Sequence, residues 1–418
     1  MLTHVRNDIT ITNYIIETLQ TTYNRPMHIA ILGRQPALGL AELERVYGSR
    51  NVDRASDQAA LVNSDYFTIG RLGGTLKAGK VVLEAKSAWH QASQKLVEHY
   101  LREWHSFDGK ITLGLSGYGL PIDARELQKT GIILKQKLKR SGVSVRLVPN
   151  QDLALSTATS NHNKLGLAPN KVELLIVQGD DGIITIAEST GAQNITAYTK
   201  RDQERPMRDA FVGMLPPKLA QIMINLAGEL QASKGEAQPR ILDPFCGTGV
   251  ILQEAALMHY AVYGTDLAEK MVRYSRDNLN WLADTHHITF DWFLREGDAL
   301  DIKWLPPINA VVAETYLGQP FSAPPSPAKL TEVKANCNRI ISEFLKNIGS
   351  QIESGTPVCI AVPAWRGTDG TFTHLPLIHG FKTLGYKQVD FKNVHPNDLL
   401  YFREDQVVAR ELLVLVKS

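Results

Sequence analysis

The chain has 418 residues, with 44% hydrophobic and 21% charged side chains and a formal net charge of +2. This length predicts two to three domains, and the composition is ordinary for a globular protein. Because the net charge is small, the charge of the whole chain does not by itself indicate a nucleic-acid partner. Any such partner has to be argued from a local patch.

The three cysteines, Cys246, Cys337 and Cys359, form no C-x-x-C pair. This pattern excludes a disulfide framework and argues against a structural zinc site, so we expect no metal. The chain has no run of about eighteen apolar residues, and its first residues lack an apolar signal core. We therefore expect no membrane segment and a location in the reducing cytoplasm.

The N-terminal part is predicted to hold a tail and a small module. Residues 1–26 are polar and predict a peripheral tail or a short docking helix. Residues 27–85 predict a layered module with the strand HIAILG, the helix LAELERVYG ending at Gly48, and two strands around 59–62 and 68–72. Nothing in this module indicates catalysis.

Residues 86–197 predict a second segment of mixed helices and strands. The predicted elements are a helix at 89–103, a strand at 110–116, a helix at 123–140, a strand at 143–148, a helix at 153–161, and strands at 172–178 and 183–188.

A basic cluster ends the predicted helix 123–140 and continues into the next strand. It consists of Lys135, Lys137, Lys139, Arg140 and Arg146. Cations are favoured at the C-terminus of any helix, so a solvated helix end is one interpretation. A surface that binds RNA is the other.

Residues 198–225 predict a connector that ends in a helix. The connector contains the runs YTKRD, RPMRDA and GMLPPKLAQ. Its arginines Arg201, Arg205 and Arg208 fit a charged linker and a contact to phosphate or carboxylate equally well.

The stretch from Arg240 to Asp266 predicts a buried strand, a glycine turn, a helix and a second strand ending in an acid. Asp243 and Asp266 lie twenty-three residues apart, about the span of one βαβ half-unit in a nucleotide-binding fold. A dinucleotide fingerprint needs Gly or Ala where this chain has Leu252, so a pyrophosphate ligand is disfavoured.

Two further strand ends carry acids. A helix is predicted at 268–281, and a strand at 290–295 precedes Gly297-Asp298-Ala299. A turn aspartate is the alternative interpretation of Asp298. A fourth strand at 309–313 ends at the sequence ETYLG, where an open α/β sheet binds its ligands.

The C-terminal part completes an α/β domain. Beyond the stiff, proline-rich loop 319–327, the predicted elements are a helix at 330–350, a strand at 358–362, a mostly helical segment at 372–385, a strand at 387–391 and a closing hairpin at 400–403 and 411–417. Trp365 is predicted to be a core residue.

The run DPFCGTG resembles motif I of class I S-adenosylmethionine (SAM) methyltransferases, in the form typical of enzymes that methylate nucleic-acid bases. The resemblance implies a Rossmann-like domain over residues 226–418 with a seven-stranded mixed sheet and SAM as cofactor. A generic strand–turn–helix is the alternative. The implied cofactor residues are Asp243, Pro244, Phe245, Gly247, Thr248, Gly249, Asp266, Leu267, Gly297, Asp298 and Ala299.

The N-terminal elements and the connector resemble the THUMP-containing methyltransferases that act on tRNA guanosines. Residues 27–85 resemble the ferredoxin-like module of that family, and residues 86–197 resemble its RNA-binding THUMP domain. The resemblance implies that the connector packs over the cofactor pocket. It also implies RNA contacts by the basic cluster and the three connector arginines.

The loop ETYLG departs from the Asp/Asn-Pro-Pro-Tyr pattern of amino-directed methyltransferases. A guanine amine is a poor nucleophile, so acceptors have to hold its hydrogens and aim its nitrogen. Glu314 stands where the acid is expected, both prolines are absent, and Tyr316 lies one place early as the aromatic residue that stacks on an extruded base. An acid that is one methylene longer changes the reach of the acceptor.

The resulting hypothesis is a SAM-dependent methyltransferase acting on the 2-amino group of a guanosine in tRNA. Glu314 and Tyr316 are its predicted catalytic residues. Two alternatives stay open: methylation of another RNA or another nucleophile, and a non-catalytic RNA-binding protein that retains the fold. The sequence leaves the oligomeric state undetermined.

Overall fold

The computed structural model describes residues 26–209 and 215–418. The predicted tail, apart from Pro26, and residues 210–214 of the predicted connector lie outside the described residues. The chain forms two compact units. The first holds the described residues up to Pro36 with Arg50–Gly70 and Thr75–Ile195, and the second holds Ala37–Ser49, Arg71–Gly74 and Thr196–Ser418.

The described helices are numbered in chain order. They are α1 (Pro36–Tyr47), α2 (Trp89–Glu103), α3 (Ala124–Arg140), α4 (Thr157–His162), α5 (Ile195–Gln203), α6 (Pro217–Ala227), α7 (Val250–Leu257), α8 (Glu269–His286) and α9 (Pro327–Gly349). Among these helices none is long and apolar enough to cross a lipid bilayer.

The first unit is built on one eight-stranded sheet. Its strands are β1 (Met27–Leu32), β2 (Val52–Ser56), β3 (Ala59–Asn63), β4 (Thr75–Ala85), β5 (Lys110–Tyr118), β6 (Ser144–Leu147), β7 (Lys171–Gln178) and β8 (Ile184–Ala192). Their order is β2-β3-β1-β4-β8-β7-β5-β6, with β5 parallel to both β6 and β7.

The predicted boundary between residues 27–85 and residues 86–197 does not separate two sheets. The long strand β4 pairs with β1 on one side and with β8 on the other, so both predicted modules share a single sheet. Hydrogen bonding between strands far apart in the chain decides this pairing, and local sequence patterns do not encode it.

The second unit contains a nine-stranded mixed sheet. Its strands are β9 (Arg240–Asp243), β10 (Ala261–Asp266), β11 (Trp292–Glu296), β12 (Ala310–Glu314), β13 (Pro357–Arg366), β14 (Phe372–Thr373), β15 (Tyr386–Gln388), β16 (Leu400–Tyr401) and β17 (Val408–Lys417). Seven of them follow the order β11-β10-β9-β12-β13-β17-β15, and the two-residue strands β14 and β16 pair with β13 and β17.

This topology places a ligand crevice at a definite point. Strands β9 to β13 are parallel, and β17 runs antiparallel between β13 and β15. The chain builds the sheet outward in both directions from β9 and β12, so the strand order reverses between these two strands. Ligands of open α/β sheets bind beyond the C-terminal ends of the strands at such a reversal.

The prediction of a mostly helical segment at 372–385 is wrong. The segment contains β14 and two short 3-10 turns at Pro376–His379 and Phe381–Leu384. Proline and two glycines interrupt the apolar pattern, and each disfavours a continuous helix. Trp365, in contrast, is 2% exposed and belongs to the core, as predicted.

Helix α1 belongs to the second unit and is fastened there by polar side chains. Glu42 accepts hydrogen bonds from Gly73 N (2.9 Å), Gly74 N (2.8 Å) and the Asn225 side chain (2.7 Å). Arg45 donates to the carbonyls of Leu226 and Ala227, both at 2.9 Å, at the end of α6. These last carbonyls have no partner within their own helix, so α1 caps α6.

Candidate active site

A tight glycine turn joins β9 to α7 at the C-terminal edge of the sheet. Gly247 and Gly249 have φ angles of +51° and +80°, which L side chains rarely adopt. A Cβ atom at Gly249 would lie 2.9 Å from the Ser275 hydroxyl, whereas one at Gly247 would meet only Phe245 O at 3.9 Å. Packing against α8 therefore requires Gly249, and Gly247 leaves space beside the backbone for a ligand.

Asp266 ends β10 and binds the glycine turn. Its Oδ2 accepts a hydrogen bond from Gly247 N at 2.9 Å, and its Oδ1 accepts one from Ala268 N at 2.9 Å. Burial raises the pKa of this carboxyl, and the two backbone hydrogen bonds oppose that shift. The carboxyl is thereby fixed at the strand end beside Gly247.

Asp298 lies in the turn that follows β11. Its Oδ1 accepts a hydrogen bond from Leu300 N at 3.0 Å, and Gly297 N donates to Asp266 O at 2.9 Å. A Cβ atom at Gly297 would lie 2.0 Å from Ile302 Cδ1, so a larger residue here would require the Ile302 side chain to move. The acids of two neighbouring strand ends are therefore brought together.

A cavity of about 650 Å³ opens at this edge of the second unit. Most of the residues predicted as cofactor or catalytic residues line it: Asp243, Pro244, Phe245, Gly247, Thr248, Asp266, Leu267, Asp298, Ala299, Glu314 and Tyr316. Gly249 and Gly297 do not line the cavity and instead hold the two turns beside it.

Other lining residues had no individual site role in the sequence analysis. They are Leu215, Cys246, Val250, Ile251, Leu300, Thr315, Leu317, Gly318, Gln319, Pro320, Arg339 and Ile340. Most of them lie within one or two positions of a predicted motif, so a wider motif would include them. Arg339 and Ile340 lie on α9, and no sequence signal identifies them.

Glu314 ends β12 and forms an ion pair with Arg410 of β17, through Arg410 Nε and Glu314 Oε1. The arginine side chain is 9% exposed and the glutamate side chain 17% exposed. Arg410 itself does not line the cavity, and the sequence analysis missed it because the two residues are 96 positions apart.

Thr315 ties the loop that follows β12 to β13. Its backbone N (3.0 Å) and its Oγ1 (2.8 Å) both donate to Ala361 O. A proline has no N–H and cannot make the first bond. In this chain the two hydrogen bonds therefore restrain the loop, whereas in the related pattern the rigid proline restrains it.

The rest of the loop is shaped by one glycine. Gly318 has a φ of +82°, and a Cβ atom there would lie 3.0 Å from Val333 Cγ1 and 3.3 Å from Cys337 Sγ on α9. The close packing keeps the loop against the helix. Tyr316 is 42% exposed at the cavity, so its ring is accessible to a planar ligand.

Asp243 is the most deeply buried acid of the site, at 2% exposure. Burial raises its pKa well above the ordinary value, and the nearby carboxyls of Asp266 and Glu314 raise it further. The hydrogen bond from Phe245 N at 3.1 Å opposes this shift. Burial likewise raises the pKa of the Cys246 thiol, which makes it a poor nucleophile.

The described part of the connector packs against the glycine turn through Asn278 of α8. Met207 N donates to Asn278 Oδ1 at 2.9 Å, and Asn278 Nδ2 donates to Met207 O at 2.9 Å and to Thr248 O at 2.8 Å. One side chain thus joins the connector to the cavity wall.

The three connector arginines lie in different environments. Arg201 is paired with Glu254 of α7 through contacts of 2.6 and 3.0 Å, and Arg205 is 2% exposed. Arg208 is exposed. The predicted RNA contact of Arg205 is inconsistent with its burial, because its guanidinium group presents almost no surface to a phosphate. Arg201 already has a carboxylate partner.

The basic cluster lies on the first unit, at the end of α3 and on β6. Lys135, Lys137, Lys139, Arg140 and Arg146 are all exposed. Arg146 donates a hydrogen bond to Asn163 Oδ1 at 3.0 Å. Within residues 26–209 and 215–418 none of the five forms an ion pair, so their charges are available to a partner.

In the part of the chain that the structure describes, no group of three or more His, Cys, Asp or Glu side chains is arranged to hold a metal ion.

Residues 205–362 match the family described as "UPF0020: RMKL-like, methyltransferase domain". The tRNA (guanine(10)-N2)-dimethyltransferase of Methanothermobacter thermautotrophicus is 34% identical over 164 residues, which are 39% of this chain and 43% of that protein. The chain thus spans less than half the length of this relative.

A shorter relative is covered more fully. The probable tRNA (guanine(10)-N2)-dimethyltransferase of Methanothermococcus thermolithotrophicus is 31% identical over 137 residues, which are 32% of this chain and 74% of that protein. Among solved structures, TrmN from Thermus thermophilus matches with a TM-score of 0.51 at 17% identity, covering 94% of this chain and 100% of that chain. This likeness shows a shared fold.

Proposed function

The chain belongs to the tRNA guanine-N2 methyltransferase family, and from this membership we propose that it transfers a methyl group from SAM to the 2-amino group of a guanosine in tRNA. The observation that carries the proposal is the cavity shared by the motif I turn and the loop Glu314–Gly318. A cofactor held by the turn and a base held by the loop would meet in this space.

The residues around the cavity fit SAM. When bound, SAM supplies a methyl group on a sulfonium centre that a nitrogen nucleophile can attack. The backbone at Gly247 has room for the close approach of a ligand. Asp266 and Asp298, fixed at neighbouring strand ends, offer acceptors for ribose hydroxyls and for an adenine amino group.

Glu314 is the acceptor for the reacting amine in this mechanism. Its carboxylate accepts a hydrogen bond from the guanine amino group and aims the nitrogen into the cavity. During methylation the carboxylate would take up the proton that the amine releases. Tyr316 stacks on the extruded base. This chemistry needs no metal ion.

We assign RNA binding to residues 86–197, as a THUMP-like region that shares its sheet with the ferredoxin-like residues 27–85. The exposed cluster Lys135, Lys137, Lys139, Arg140 and Arg146 supports this assignment. Arg208 adds an exposed cation on the connector. Such contacts recognise the phosphate backbone and the shape of RNA, while the cavity reads the base. A tRNA substrate and three free thiols fit a cytoplasmic enzyme.

Calorimetric titration with SAM tests the cofactor assignment. We expect saturable binding by the full chain and binding roughly 10- to 100-fold weaker for Asp266→Ala, because a carboxylate at an optimised hydrogen-bonding site is removed. Asp301→Ala, an exposed acid in the same region, is the matched control and should bind normally. Absence of SAM binding by the unmodified protein contradicts both the cofactor and the enzyme assignment.

Transfer of labelled methyl from SAM to total tRNA and to rRNA, followed by nucleoside mapping, tests the substrate. We expect label in N2-methylated guanosine of tRNA, and strongly reduced transfer by Glu314→Ala. Label in rRNA alone or in a different nucleoside would redirect the proposal to another substrate. Full activity of Glu314→Ala would remove Glu314 from the mechanism.

A further inference from the structure

We propose that Arg410 is a positioning residue for methyl transfer, which acts by anchoring one carboxylate oxygen of Glu314 so that the other accepts the N–H of the reacting amine. The inference rests on the proposed function and deepens it. Arg410 lies outside the cavity and acts through its ion-pair partner, Glu314.

The strand register explains how the two side chains meet. Glu314 of β12 lies opposite Ala361 of β13, and Arg410 of β17 lies opposite Pro363 of the same strand. Residues 361 and 363 point to one face of the sheet because side chains alternate along a strand, and directly opposed residues share a face. Arg410 and Glu314 therefore share that face, on the two strands that flank β13.

The pair places a cation where acids crowd. Asp243, Asp266 and Glu314 lie at the ends of three strands and line one cavity, and Asp243 interacts with both of the other carboxyls. A cation beside these carboxylates offsets their mutual repulsion. Within residues 26–209 and 215–418, Arg410 is the cation that pairs with this group of acids, since Arg339 of the cavity wall is paired with Glu343.

The ion pair uses only part of the carboxylate. Arg410 Nε donates to Glu314 Oε1, and among the described residues no donor binds Glu314 Oε2. Glu314 also lines the cavity. One oxygen is therefore anchored toward β17 and the other is available to a ligand. The anchor restricts a side chain that is one methylene longer than the aspartate of the related pattern, and so sets its reach.

A series of substitutions in the full-length protein tests the proposal. Arg410→Met should lower kcat for tRNA methylation roughly 100-fold, the effect expected of an acceptor displaced by about 1 Å. The KM values for SAM and tRNA should change less than about threefold, because the binding contacts persist. Arg410→Lys, which keeps the charge, should restore part of the activity. Arg403→Met is the matched control on the same hairpin, since Arg403 is exposed and is paired with the exposed Asp405.

A double variant separates positioning from a general structural role. If Arg410 acts through Glu314, adding Arg410→Met to Glu314→Gln should lower kcat no further, because both substitutions remove the same function. The double variant also removes both charges, so it avoids the lone buried charge that could unfold Arg410→Met. Thermal unfolding of each variant shows whether it is folded.

A chemical readout is independent of methyl transfer. Carbodiimide-driven coupling of glycinamide modifies accessible carboxyl groups, and an ion-pair partner shields a carboxyl group from it. Mass spectrometry of the ligand-free protein reports this modification at Glu314. We expect several-fold more modification of Glu314 in Arg410→Met than in the unmodified protein, and no change in Arg403→Met. Equal modification, or a full kcat in folded Arg410→Met, would overturn the role of Arg410. Absence of methyl transfer by the unmodified protein would instead overturn the proposed function.

Discussion

Thr315 shows how a single residue compensates for a departure from a family pattern. The related loop has proline here, and proline restricts the backbone through its ring. Thr315 reaches a comparable restraint through two hydrogen bonds to Ala361 O, one of which requires a backbone N–H. Together with Gly318, which packs closely against α9, it holds the loop that carries Glu314.

Returning Thr315 to the family residue should therefore harm this protein. We expect Thr315→Val to lower the free energy of unfolding by about 1 kcal/mol, because the hydroxyl bond is removed. Thr315→Pro removes both bonds and leaves Ala361 O without its donors, so its destabilisation should be larger. Urea unfolding of both variants measures this order. If Thr315→Pro proves as stable as the unmodified protein, the hydrogen bonds are not what holds the loop.

At the scale of one element, helix α3 is amphipathic, with one buried face and one exposed face. Leu127, Leu134 and Leu138 are buried in the first unit. The last turns carry exposed lysines and an arginine that no described acid neutralises. Cations also stabilise the C-terminal end of the helix. The same charges can therefore serve both the helix and a phosphate backbone.

Replacing Lys135, Lys137, Lys139 and Arg140 together by glutamine should weaken tRNA binding and leave SAM affinity unchanged. The slope of log K against log salt concentration should fall by roughly one unit for each phosphate that the variant no longer neutralises. Filter binding over a range of salt concentrations measures this slope. The control neutralises three exposed lysines of the second unit, Lys346, Lys382 and Lys387. An unchanged slope in the α3 variant would locate the RNA surface elsewhere.

At the scale of the whole molecule, the second unit is discontinuous in sequence. It needs α1 and residues 71–74 as well as residues 196–418. Besides capping α6, α1 uses Glu44 to accept hydrogen bonds from Lys392 N and Asn393 N, both at 2.7 Å. The fold of the candidate active site therefore depends on a helix from the N-terminal part of the chain.

A fragment of residues 196–418 should be much less stable than the same region in the full chain. It lacks α1, so the hydrogen bonds made by Glu42, Glu44 and Arg45 are lost, at about 0.5–1.5 kcal/mol for each bond, and apolar surface is exposed to water. We expect the melting temperature to fall by roughly 10 °C or more, or the cooperative transition to disappear. Differential scanning calorimetry of the fragment and the full chain checks this. A fragment that melts with the full chain would show that α1 is dispensable.

Local patterns were sufficient for the βαβ segment that borders the cavity. The alternation of strand, glycine turn and helix around Gly247 and Gly249 predicted the βαβ unit, since both the turn and the apolar periodicity are short-range properties. Parallel strands bring their C-terminal ends to one edge, so Asp243, Asp266, Asp298 and Glu314 could be expected to gather there. The structure places all four around one cavity.

Contacts between distant parts of the chain decided the rest. The pairing of Glu314 with Arg410, the burial of Arg205 and the membership of α1 in the second unit each depend on side chains that only the folded chain brings together. The sequence by itself determined the kind of fold and the edge at which the chemistry lies, because both follow from local periodicity and strand direction. The tertiary structure alone decided which charges are paired, because pairing depends on strand register and burial across the sheet.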